Sequence, residues 1–243
     1  MPPPRSALAL GCCSAILARF ASSPSIVRAP NSSHPCCAPT RYVEIYNETV
    51  RDLLVDPTKD ANLKHDIRGD GEVSNITTVA VESPGAIHEL LAKAADTRSI
   101  AKTKMNANSS RSHSIFRLKL VGENATCGEC CKSMLNLIDL AGSERVDKSG
   151  ATGARLAEAN AINKSLSSLG TVISALGSES THVPYRNSKL THLLQNSLGG
   201  NSKCLMLANV SPECSSAPET KCSLQFATRV NETHVGSASK QAK

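Results

Sequence analysis

The 243-residue chain is 40% hydrophobic and 20% charged, a globular composition that excludes collagen, coiled coil or disorder as a description of the whole. No run approaches the ~18 apolar residues of a membrane-spanning helix, and aromatics are only 2% with no Trp, leaving few platforms for stacking single-stranded nucleic acid. A net charge of +6 permits a polyanionic partner.

Residues 1–40 carry Arg5, Arg19 and Arg28 but no acid; the first acidic residue is Glu44. This stretch is rich in Ser, Ala and Pro. Its composition has the flavour of a mitochondrial transit peptide, and Ala7 to Leu17 that of a short apolar signal segment. Pro2, Pro3, Pro4, Pro24, Pro30, Pro35 and Pro39 break any helix there, so the stretch is expected to be a disordered or spurious leader, not a mitochondrial address. From Arg41 the pattern becomes ordered. Val43 and Ile45 share one face of a predicted strand, Arg41 to Tyr46. Val50 to Leu54 reads as a short apolar turn. Leu63 to Ile67 and Val73 to Val81 read as short strands around the Gly69-Asp70-Gly71 turn. Ser83-Pro84 is a helix start, and Ile87, Leu90, Leu91 and Ala94 form one face of the helix that follows.

Further on, Ser114 to Val121 alternates as a half-buried strand would. Met134 to Leu140 is nearly continuous in apolar residues and predicts a fully buried strand. A polar stretch with glycines, Gly142 to Gly153, precedes a long helix. There Ile162, Leu166, Leu169, Ile173 and Leu176 make one apolar stripe. A second helix is predicted over Asn187 to Leu198, ended by Gly199-Gly200. Leu205 to Val210 is predicted as a strand and Ser223 to Val230 as a last helix. Strands alternating with helices predict an α/β fold with a central sheet.

Of the ten cysteines, Cys12-Cys13 and Cys36-Cys37 are adjacent pairs that suit neither a zinc knuckle nor a simple disulfide. Cys127, Cys130 and Cys131 contain one C-x-x-C, without a second pair at matching spacing, so free thiols are expected.

The chemistry concentrates at two places. The apolar strand ends in Asp139, and Asp139-Leu140-Ala141-Gly142 is a D-x-x-G. An acid at the carboxyl end of a buried strand stands where ligands bind an open sheet. A carboxylate there can hold Mg²⁺ through its water shell, and a glycine three residues on lets a backbone N–H approach a phosphate. The second place is the polar cluster Asn106 to His113, whose hydroxyls suit Mg²⁺ or a terminal phosphate. Its Arg111 can pair with Glu144.

These segments resemble the kinesin motor domain. So do Tyr42 to Glu48, Leu135 to Arg145, Ile162 to Leu166, Val183 to Leu190, Ser197 to Lys203 and Asn209 to Pro212, in the family's order. The wording is most similar to the minus-end-directed, C-terminal-motor (kinesin-14-like) kinesins. The resemblance divides the chain into a leader over 1–40, a partial motor domain over 41–235 and a flexible tail over 236–243. It implies the kinesin motor fold of the P-loop NTPase type, a central mixed sheet flanked by helices, here truncated at its N-terminus. It implies ATP and Mg²⁺ as cofactors and the microtubule as partner, with room for a second motor or motor-like chain. Neither a membrane nor a nucleic acid beyond the nucleotide is implied, and the place of action is the cytoplasmic cytoskeleton, including the spindle.

Residue by residue, the resemblance makes Asn106, Ser109 and Ser110 the γ-phosphate and Mg²⁺ contacts of the first switch loop. Arg111 and Glu144 become the salt bridge between the switches. Asp139 holds the Mg²⁺ water and the Gly142 amide senses the γ-phosphate, roles that suit phosphoryl transfer. Asn163 supports the second switch. Arg145, Lys148, Arg186 and Lys189 match basic microtubule contacts, whose hold on acidic tubulin weakens with salt.

One element of the family pattern is missing. The sequence has no G-x-x-x-x-G-K-[ST], and Gly199 to Cys204 lacks its spacing and hydroxyl. These residues alone are therefore expected neither to bind ATP tightly nor to hydrolyse it. Losing the strand that leads into such a loop is also expected to leave the strands at Leu135 and Leu205 each short of a neighbour, and the fold marginal. Two other readings compete. A non-catalytic microtubule-binding module has no need of the retained switch residues. A G-protein is opposed by the absence of N-K-x-D.

Overall fold

The computed structural model describes residues 38–104, 111–124, 129–142, 153–178 and 180–233. Strand β1 (Ala38–Tyr46) starts three residues before the predicted strand and is central. It pairs antiparallel with β2 (Thr49–Asp52), with β3 (Val79–Val81) and with β4 (His113–Asn124). Strand β5 (Glu129–Asp139) lies antiparallel on β4, giving the path β2-β1-β4-β5. The sheet expected to be mixed is thus antiparallel in every pairing among the described residues. The segment expected to be a turn at Val50 is strand β2, because Asn47 and Glu48 adopt positive φ and fold Thr49–Asp52 back onto β1. The two short strands expected around Gly69 reduce to a single bridge, Ile67 to Val73, and to β3.

Side-chain alternation separates two cores. One face of the sheet carries Val43, Ile45 and Ile115. It packs on α3 (Ala154–Gly177) and α4 (Lys189–Leu194) through Leu169, Ile173, Leu190, Leu193 and Leu194. The other face carries Tyr42, Phe116 and Leu118 and packs on α2 (Pro84–Lys104) through Ile87 and Ala94. Tyr42 and Phe116 meet edge to face with ring centroids 5.5 Å apart. Helix α1 (Pro57–Asp60) is a single turn beside β2, and α5 (Ala217–Glu232) lies on α3. Gly170 faces the Phe226 ring there, at a distance where a Cβ would make an ordinary contact of 3.4 Å.

Helix α2 starts as predicted, with the Ser83 hydroxyl accepting from the Ala86 amide at 3.2 Å. Helix α4 is shorter than predicted. Residues Tyr185–Asn187 form a 3₁₀ turn, and Ser188 then caps the helix by accepting from the Thr191 amide at 3.1 Å. The buried stripe of α3 is centred on Ser165, Ser168, Leu169, Val172 and Ile173, not on the purely apolar set. Ser165 and Ser168 tolerate burial because each hydroxyl donates to its own helix, to Ile162 O and Lys164 O at 2.7 Å.

Two predicted strands behave differently from the rest. β4 is covered on both faces from His113 to Leu118, whereas β5 is only half-buried from Leu135 to Asp139 and was expected to be fully buried. Among the described residues nothing pairs with its outer edge. Leu205 to Val210 forms no strand: Leu205 is 83% exposed and Leu207 48%. An apolar run without a pairing partner has nowhere to bury its backbone or its side chains. Among the described residues, β5 and the Leu205–Val210 segment are thus each short of a neighbour.

Candidate functional site

The carboxyl end of β5 is where the two faces of the sheet become polar. Register places Asp139 opposite Ser114, and Ser114 opposite Glu44, so these side chains share the α2 face. Into them reaches Arg98, the position after Ala94 on the apolar stripe of α2, only 4% exposed. Its Nε donates to Glu44 Oε1 at 3.2 Å, and its Nη2 donates to the Ser112 carbonyl at 3.2 Å and hydroxyl at 2.9 Å. Its Nη1 stands 3.5 Å from Asp139 Oδ2. The Ser112 hydroxyl donates in turn to Glu44 Oε1 at 2.6 Å, and Arg51 approaches Glu44 Oε2 at 3.7 Å. Burial raises the Asp139 pKa, and the Arg98 guanidinium partly offsets it. The Ser114 hydroxyl, 1% exposed, has no hydrogen-bond partner among the described residues.

The α3 face carries His113, 3% exposed. The Ala141 amide donates to its Nδ1 at 3.0 Å, and its Nε2 lies 2.7 Å from the Ser165 hydroxyl. Burial, then the nearby Arg98 charge, lowers its pKa to about 4, so the ring is neutral. A neutral ring that accepts at Nδ1 carries its proton on Nε2 and donates it to Ser165. Two residues earlier, Arg111 Nη1 donates to Glu158 Oε2 of α3 at 2.9 Å. The Tyr46 hydroxyl lies near Glu158; its pKa is raised by burial first and then by that carboxylate.

Of the site residues read from sequence, Asp139, Gly142, Arg111, Asn163, Arg186 and Lys189 are described. Asn106, Ser109, Ser110, Glu144, Arg145 and Lys148 lie outside the described residues. Asp139 is the last residue of β5, and Gly142 follows three residues on. Arg111 is bound to Glu158, and its expected partner Glu144 is not described. Asn163 is half-buried on α3. Arg186 is exposed in the 3₁₀ turn, and Lys189 opens α4, its amide donating to Glu48 Oε2 at 3.0 Å. Burial, then the charges of Arg186 and Lys189, lower the pKa of His192, so a neutral ring stands beside the two cations.

Sequence reasoning missed Arg98, Glu44, His113 as a bonded group, and Ser165. The signal for Arg98 was present. A cation that continues the spacing of Ile87, Leu91 and Ala94 must be buried, and a buried cation must be paired.

The family model described as Kinesin motor domain matches residues 22–233. The chain belongs to the kinesin family. It is 53% identical over 212 residues to Kinesin-like protein 2 of Schizosaccharomyces pombe, covering 84% of this chain and 26% of the relative. With Kinesin-like protein KIN-14M of Arabidopsis thaliana it shares 53% over 208 residues, 81% of this chain and 28% of that protein. Its fold matches a solved structure of the C-terminal motor and motor homology domain of Kar3Vik1 with a TM-score of 0.70 and 47% identity, covering 80% of this chain and 51% of that one. Its relatives thus include C-terminal-motor kinesins, and it spans about a quarter of the two curated proteins' length.

ATP and Mg²⁺ are the family's cofactors. The described residues do not make a site for them. They supply one carboxylate and one glycine amide, and the carboxylate already faces the Arg98 guanidinium. A triphosphate needs a cradle of amides and a lysine, whose sequence signature this chain lacks. No chemical step is therefore assigned to these residues.

Proposed function

We propose that these 243 residues are the microtubule-engaging part of a kinesin motor, and that alone they bind microtubules without turning over ATP. ATP-driven movement then belongs to a polypeptide that also supplies the phosphate loop. The observation that carries the reading is the α3–α4 layer. A long helix packed on the sheet stands beside a cationic group of exposed Arg186 and half-buried Lys189, whose charges together depress the pKa of His192, and the end of β5 is tied to that helix through His113. Tubulin offers the acidic surface that such a group recognises. The residues act on the microtubule cytoskeleton, including the spindle.

Co-sedimentation with stabilised microtubules across a salt series tests this. Binding at low ionic strength that weakens several-fold toward 0.2 M salt is expected, about the range over which the Debye length falls below 8 Å. Absent or salt-insensitive binding overturns it. A second reading is favoured by the missing phosphate-loop signature: a non-catalytic module that works beside a second motor or motor-like chain. That arrangement is suggested by the motor and motor homology domain of the Kar3Vik1 structure.

A further inference from the structure

We infer that His113 is a positioning residue that couples the backbone at the end of β5, at Ala141, to helix α3 at Ser165. The geometry forms one directional chain of hydrogen bonds through the ring. The Ala141 amide donates to Nδ1 at 3.0 Å, Nε2–H donates to Ser165 Oγ at 2.7 Å, and Ser165 Oγ–H donates to Ile162 O at 2.7 Å. The two links made by the ring are dry, with Ala141 5% exposed, His113 3% and Ser165 1%, and the third is part-buried. Water cannot substitute for a lost partner, so moving one end strands a polar group at the other.

The second contact between these segments gives the device its direction. Arg111 and His113 are two residues apart, and their partners Glu158 and Ser165 are seven apart on α3. Seven residues are two helical turns, about 10 Å of helix. The entry to β4 therefore grips one stripe of α3 at two points, and a rigid shift of the helix must be felt at both. Only the His113 grip continues to Ala141, next to Gly142 in the D-x-x-G. Displacement of α3 is thus transmitted to the backbone of that motif. That α3 is displaced by a microtubule rests on the proposed function; the coupling itself is a property of the free chain.

Hydrogen exchange on the full 243-residue chain tests the inference, with the Ala141 amide and the 162–166 turn as readouts. Ser165→Ala should speed Ala141 exchange roughly five- to tenfold, the loss of about one net hydrogen bond. Ser168→Ala, a buried serine of the same helix bonded to Lys164 O, should leave Ala141 unchanged. Two amide replacements split the ring. His113→Asn places an acceptor near Nδ1 and should protect Ala141 while releasing α3. His113→Gln places a donor near Nε2 and should do the reverse. The His113 ¹⁵N signals should show a bare Nδ1 and a protonated Nε2.

Equal effects of the Asn and Gln replacements would reduce His113 to packing and overturn the inference. So would an Ala141 amide indifferent to Ser165→Ala, or a proton found on Nδ1. Adding microtubules should change Ala141 exchange in the wild type and not in His113→Gln. Failure of the chain to pellet with microtubules would refute the proposed function while the free-chain experiments still decide the coupling.

Discussion

Replacing Arg98 by methionine keeps most of its stem volume and removes its charge. The change deletes the donors to Glu44 at 3.2 Å and to Ser112 at 3.2 and 2.9 Å, and the ion pair with Asp139 at 3.5 Å. Removing one member of a buried ion pair costs about 3–5 kcal/mol, because the partner stays behind uncompensated. Glu44 keeps the Ser112 hydroxyl at 2.6 Å and Arg51 at 3.7 Å, so it is not left bare. The expected loss is therefore at the lower end, about 3 kcal/mol. With a urea m-value of about 2 kcal/mol per molar, the midpoint falls by about 1.5 M. Far-UV circular dichroism reads the transition, since the chain has no Trp to report by fluorescence. The loss also depends on pH. The Asp139 pKa is already raised by burial and is held down only by Arg98. Without Arg98 it rises further, and a carboxyl with a raised folded-state pKa loses stability as pH climbs past its unfolded value. The deficit should thus be larger at pH 7 than near pH 4. Adding Glu44→Gln to Arg98→Met should recover about 1–2 kcal/mol, because the buried carboxylate has lost its Arg98 partner and keeps only Ser112 and the more distant Arg51. A midpoint shift worth under 1 kcal/mol, or full additivity of the two changes, would refute the network.

Three other perturbations reach different parts of the chain. The His113 pKa of about 4 lies below its unfolded value of about 6.5, so stability is complete above pH 6.5 and falls as acid protonates the unfolded state first. About 2 kcal/mol should disappear between pH 7 and pH 5 in urea titrations, and His113→Gln should remove that part of the slope; an unchanged slope refutes it. Leu207→Lys places a charge on a residue 48% exposed in an unpaired apolar run. It should lower aggregation by light scattering and change stability by under about 0.5 kcal/mol, whereas a loss above 2 kcal/mol would mean that the segment is packed. Arg186→Glu reverses an exposed cation and should weaken microtubule binding about two- to fivefold at low salt, with no change in the urea midpoint. Equal binding at low salt would remove Arg186 from the interface.

Much of the scaffold is legible from periodicity. The strands at Arg41 and Ser114 and the long helix through Leu169 follow from alternation and from spacings of three and four. The family resemblance is carried by D-L-A-G-S-E and the Ser-rich cluster before it. What periodicity hides is the polar part of the core. Arg98, Glu44, His113 and Ser165 occupy apolar positions of their elements, and only tertiary pairing makes them affordable there. Turn chemistry hid β2, whose return depends on Asn47 and Glu48 adopting positive φ. Leu205 to Val210 is the opposite case. Its sequence is that of a strand, and among the described residues its backbone has no neighbouring strand to make it one. Strand propensity expresses a fit to adjacent strands, not a property of the segment alone.

Microtubule binding without ATP turnover is the behaviour proposed for these 243 residues. The direct measurement is phosphate release by the purified chain with ATP and Mg²⁺, with and without microtubules, run beside co-sedimentation on the same preparation. Salt-sensitive pelleting with phosphate release at the no-protein background is the predicted result. Phosphate release stimulated by microtubules would contradict it, because it would require a phosphate cradle that the sequence does not encode.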